Sequence, residues 1–87
     1  MHTIFRFSKH AEERLLTRGL SKDLVLEVLN NPDKIIVLNS VLLIYQKILV
    51  ESDKPYLYRV FVNRELDPKL IVTVYKTSKF DKYENQV

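Results

Sequence analysis

Eighty-seven residues, 46% of them hydrophobic, suffice for one domain with one small core and are too few for two. Fourteen Lys and Arg against eleven Asp and Glu leave a formal charge of +3, a mildly basic balance that permits a polyanionic partner without demanding one. The lack of cysteine excludes disulfides and thiol catalysis, no apolar run approaches bilayer length, and Met1 to Phe7 is too short and polar for a signal peptide. A soluble cytoplasmic domain without membrane contact is therefore expected.

Thr3 to Phe7 carries β-formers and predicts a short first strand. Two helices follow. Ser8 is a good N-cap, Glu12 and Glu13 place negative charge near the positive end of the helix dipole, and Gly19 suits a left-handed C-terminal residue, which predicts a helix over Lys9 to Arg18. Ser21 caps a second helix in which Leu24, Val25, Val28 and Leu29 recur with a period near 3.6 until Asn30-Asn31-Pro32 stops it. So short a link through Gly19 makes an αα-hairpin.

Beyond Pro32 the chain reads as sheet. Lys34 to Leu38 and Val41 to Leu49 flank the polar pair Asn39-Ser40 as a hairpin; Glu51 to Pro55 reads as a loop, Tyr56 to Asn63 as a strand, Arg64 to Lys69 as a turn, and Leu70 to Thr77 as the last long strand. Short connections between consecutive strands predict an antiparallel meander. The fold class expected is α+β, an αα-hairpin packed on an antiparallel sheet of four to five strands, in a single domain over 1–87 whose residues 78–87 form a partly ordered tail.

Three groups of residues suggest chemistry. On the first helix His10, Arg14 and Arg18 form one stripe at four-residue spacing, beside the sector of Ala11, Leu15 and Leu16 that is expected to pack on the sheet. The stripe is either an anion site bearing an imidazole, the side chain that exchanges protons near neutral pH, or a basic flank whose stems cover apolar surface. Alternation in the strands sets Arg59 on the face of Leu57 and Phe61, and Thr73 and Tyr75 on the face of Ile71 and Thr77, so that Arg59 falls near Thr73 or Tyr75 across the sheet. That arginine is either a rigidly held phosphate grip or part of a wet β surface. Lys76, Lys79 and Lys82 alternate with Tyr75, Phe80 and Tyr83; cations among rings suit a single-stranded nucleic acid, and equally a solubilising chain end.

The stretch from Ser8 to Gly19, the helix stop at Asn31-Pro32 and Thr73-Val74-Tyr75 in the last strand together resemble a family of small bacterial domains of undetermined function, one grouped with RelE-like toxins among the metal-independent RNases of the barnase, EndoU, colicin and RelE group. The likeness spans Phe7 to Tyr83. It implies a RelE-like fold, with the site near the helix–sheet junction or on the exposed sheet face. His10 and Arg14 match the family's helix pattern and Thr73 and Tyr75 its strand pattern; Arg59, Lys79 and Tyr83 are added from local chemistry.

The activity so implied is endoribonuclease cleavage by attack of a ribose 2′-hydroxyl on the adjacent phosphate. His10 would be base or acid, Arg14 and Arg59 the phosphate clamps, and Tyr75 or Tyr83 a stacking or donating ring. Arg18, Thr73, Lys76, Lys79 and Tyr83 would bind RNA. No metal or other cofactor is expected, because no carboxylate or histidine spacing suits a ligand set. Neither a second histidine nor a placed glutamate accompanies His10, which leaves the acid–base pair incomplete. Partners would be RNA or the ribosome and a cognate antitoxin. Two alternatives stand beside the enzyme. The same basic rim serves a non-catalytic RNA-, ribosome- or protein-binding module, and the apolar Val41 to Leu49 strand, if exposed, would be covered by a second copy in a homodimer.

Overall fold

A computed structural model of the chain describes residues 4–79. Its elements run β1 (Phe5–Phe7), α1 (Lys9–Arg18), α2 (Lys22–Asn30), β2 (Lys34–Val37), β3 (Leu42–Glu51), β4 (Lys54–Asn63) and β5 (Lys69–Thr77). The helices start and stop where local chemistry dictates. Ser8 and Ser21 are extended caps whose hydroxyls accept from the amides of Ala11 and Leu24. Gly19, at φ 64°, closes α1, and the Leu20 amide donates to the Leu15 carbonyl at 2.9 Å, the six-to-one bond of a Schellman motif.

The strands form one five-stranded sheet in the order β1-β5-β4-β3-β2. From β2 to β5 the antiparallel meander is as expected, but β1 pairs parallel with β5 and makes the sheet mixed. The helical hairpin carries the chain from one sheet edge to the other, so the meander returns to β1 running in the same direction. No helix among the described residues is long and apolar enough to cross a membrane.

Both helices lie on one face. Ala11 and Leu15 from α1 and Val25, Val28 and Leu29 from α2 pack with Tyr58, Val60, Val62, Ile71 and Val74 of the sheet. Leu16 does not join them. At 100° beyond Leu15 it leaves the narrow buried stripe and is 85% exposed, contrary to the expected packing face.

Two local features change the strand reading. The expected loop from Glu51 to Pro55 is a two-residue turn, with Ser52 and Asp53 both at positive φ (50° and 65°) and Glu51 opposite Lys54, so β3 and β4 are longer than the sequence suggests. In β5 the register slips: Phe61 opposes Thr73 but Val62 opposes Ile71, leaving Val72 as a bulge. Ile71 thereby turns to the helix face and is fully buried with Val74, rather than sharing a face with Thr73 and Tyr75. Ser8 fastens this bulge, its amide donating to the Ile71 carbonyl and its hydroxyl to the Val72 carbonyl, each at 3.0 Å. Since the same hydroxyl caps α1, Ser8→Ala removes two bonds at once. It should lower the unfolding free energy by about 1–2 kcal/mol in urea titration.

The Val41 to Leu49 run is partly covered, with Ile48 left 38% exposed. β3 is paired on both sides, and Leu43 and Ile44 are buried within the single chain, so the exposure on which a second copy was expected there is not met for these residues.

Candidate functional site

The first candidate group lies on the outer side of α1. Arg14 Nε donates to His10 Nε2 at 3.5 Å, one turn apart on the helix, and Glu13 and Thr17 complete a shallow concavity of about 210 Å³ around them. Thr17 Oγ1 donates to the carbonyls of Glu13 (3.0 Å) and Arg14 (3.2 Å), so its hydroxyl is turned back on the helix. Arg18 stands in the last turn, where the dipole favours a cation. Glu13 is the glutamate that the sequence reading did not place. Its three-residue spacing from His10 was the available signal.

The second group crosses the sheet face opposite the helices. Arg59 pairs in register with Tyr75, as the alternation predicts, and on its other side with Gln46, which in turn faces Lys34. Lys34, Gln46, Arg59 and Tyr75 therefore make a polar row over four strands on one face, about 14 Å long at the usual strand spacing. Arg59 is only 6% exposed, neither a wet surface arginine nor an open grip, and its guanidinium lies 5.7 Å from the Phe61 ring centroid. Tyr75 is 37% exposed, and Thr73 opposes Phe61 on the same face. Beside the row, Asp33, Lys34, Gln46, Lys47, Ile48 and Leu57 line a concavity of about 370 Å³.

The third group holds Lys76 on the helix side of the sheet. Lys76 Nζ is 2.7 Å from Glu51 Oε1, the Tyr58 hydroxyl donates to the same oxygen at 2.6 Å, and the ammonium lies 4.2 Å from the Tyr56 ring centroid. The hydrogen bond from Lys76, seconded by that from Tyr58, holds the Glu51 carboxyl below the usual carboxylate range. The Glu51 bond raises Lys76, while burial, followed by the Glu51 bond, raises Tyr58. A depressed carboxyl favours the fold above its unfolded pKa, and that contribution fades as pH falls through the folded value. Raised Lys76 and Tyr58 contribute in full below their unfolded values and lose their contribution as pH rises through the folded ones. Glu51→Gln should therefore lower the urea midpoint at pH 7, with the gap to wild type closing below about pH 4.

The structure thus brings His10 together with Arg14, and Arg59 with Tyr75, but sets the two pairs on different sides: α1 packs on the face of Val60 and Val74, and Arg59 and Tyr75 occupy the other. β1 covers the outer edge of β5 only from Lys69 to Ile71, beside the start of α1, and the way from one pair to the other runs around that edge. Lys79 follows β5, its amide donating to Thr77 Oγ1, and Tyr83 lies outside the described residues, as do Phe80 and Lys82. Gln46 and Lys34 were not signalled by residue type. Placing the turn at Ser52–Asp53 and counting back along the hairpin would have set Gln46 opposite Arg59.

Fold and site together define a small α+β domain with a helical hairpin on one face of a mixed sheet and polar groups at its edge and on the other face. The chain belongs to DUF4258, a family of domains of unknown function, whose pattern it matches over residues 7–76. No curated protein and no solved structure matches it.

Proposed function

We propose that this domain acts on RNA as a metal-independent endoribonuclease of the RelE-like toxin class. The exposed His10–Arg14 pair, with Glu13 in the same concavity, carries the reading, since it sets an imidazole, a guanidinium and a carboxylate at one accessible place. In this arrangement the Arg14 bond occupies the lone pair of Nε2; the guanidinium turns to the phosphate, and His10, its Nε2 then free, acts as the base. It takes the proton of a ribose 2′-hydroxyl, and the 2′-oxygen attacks the adjacent phosphorus. The bond to the 5′-oxygen breaks, leaving a 2′,3′-cyclic phosphate, and the 5′-oxygen takes a proton from water. Arg14 stabilises the charge that builds on the phosphoryl oxygens. Arg18 extends the cationic stripe of α1 along which the strand would lie, and the strand would have to pass around the edge of β5 to reach Tyr75; a cognate antitoxin, in a cytoplasmic setting, would cover the stripe.

The separation of Arg59 and Tyr75 from His10 favours a second reading, a non-catalytic module that holds RNA, a ribosome surface or a protein. Induced expression of wild type beside a folded His10→Ala variant separates the two. Arrest of growth and translation by wild type alone supports the enzyme, and arrest by both supports binding. If neither arrests growth while both fold, the toxin reading is lost.

A further inference from the structure

The concavity beside the polar row is lined by the apolar Ile48 and Leu57 together with Gln46 and Lys34. Gln46 is 7% exposed, and its Oε1 is buried with no hydrogen-bond partner among the described residues. A leucine would fill the same volume without a sequestered acceptor, so an amide here is costly unless a ligand satisfies it. Nearby Asp33 is already engaged: Oδ2 accepts from the Ile48 amide at 2.9 Å and Oδ1 lies 3.5 Å from Lys47 Nζ, which offsets its charge.

We propose that this concavity is a nucleobase subsite, with Gln46 reading a base that carries an exocyclic amine, adenine above all, in a single strand of RNA. The inference rests on the RNA reading above and deepens it. With the Gln46 amide held in this orientation, adenine presents the amine hydrogen that Oε1 lacks and, one ring position away, an acceptor for the glutamine Nε2, whereas uracil in the same pose sets its O4 against Oε1 and its N3–H against Nε2. The apolar side chains take the ring, and Lys34, at the outer end of the polar row, offers a cation to the backbone.

Fluorescence anisotropy with single-stranded oligo(A) and oligo(U) at low salt tests it, using wild type, Gln46→Leu, Gln46→Met and Lys34→Gln, each checked for folding by circular dichroism. Wild type should bind oligo(A) about 5- to 100-fold more tightly than oligo(U). Either Gln46 variant that folds should bring oligo(A) down to the oligo(U) level and leave oligo(U) unchanged, whereas Lys34→Gln should weaken both alike and make the salt dependence shallower. Equal binding of the two oligomers by wild type, or a preference that survives at Gln46, overturns the subsite and leaves RNA binding standing. If wild type binds neither oligomer, the subsite is overturned, and the growth-arrest comparison of wild type with His10→Ala decides the RNA reading separately.

Discussion

Ile71→Ala should lower the unfolding free energy by about 2–5 kcal/mol, a large share of the 5–15 kcal/mol typical of a domain. The isoleucine is fully buried, faces Val62 across the β4 pairing and Phe7 across the parallel pairing with β1, and its own carbonyl is held by the Ser8 amide. With the backbone fixed on both sides of the strand, the neighbours cannot close into the vacated space, which argues for the upper half of that range. Urea unfolding followed by circular dichroism measures it; a loss under about 1 kcal/mol, the order of an Ile→Val change, would show that the site relaxes freely.

The largest functional effect is expected at His10. If it transfers the 2′-hydroxyl proton, His10→Ala should slow single-turnover RNA cleavage, on the ribosome if that is the substrate, by about 10²–10⁴-fold, or about 3–5 kcal/mol of barrier. Because His10 is exposed and contributes nothing to the buried cluster, the variant should unfold at the wild-type urea concentration. A cleavage rate within twofold of wild type would remove His10 from the reaction and turn attention to the row through Arg59.

The two helices were legible because what ends them is local. Ser8, Gly19, Ser21 and Asn31-Pro32 act on their own neighbours, and the observed limits fall where those residues put them. Strand neighbours are decided elsewhere. No periodicity in Phe5–Phe7 shows that it pairs parallel with β5, and no residue type marks the bulge at Val72, which exists where Ser8 reaches across from another element. The turn at Ser52–Asp53 was missed because it takes positive φ without glycine. The same division runs through the site. Arg59 opposite Tyr75 follows from alternation in two strands. Gln46 beside them depends on that unrecognised turn, and the burial of Arg59 on a face without helices depends on tertiary packing.

The parallel contact between β1 and β5 also bears on how the chain comes to be folded. Ser8 and Val72 are 64 positions apart, whereas the β3–β4 hairpin closes over two residues. Pairings so distant close slowly, and the hairpin is the natural place for structure to begin. During synthesis α1 emerges early and must wait for β5, the strand on which it packs, until nearly all of this stretch has been made, whereas α2 packs on β3 and β4, which come sooner. Until then Ala11 and Leu15 have no strand to cover them, and the nascent α1 is the segment with most need of a chaperone.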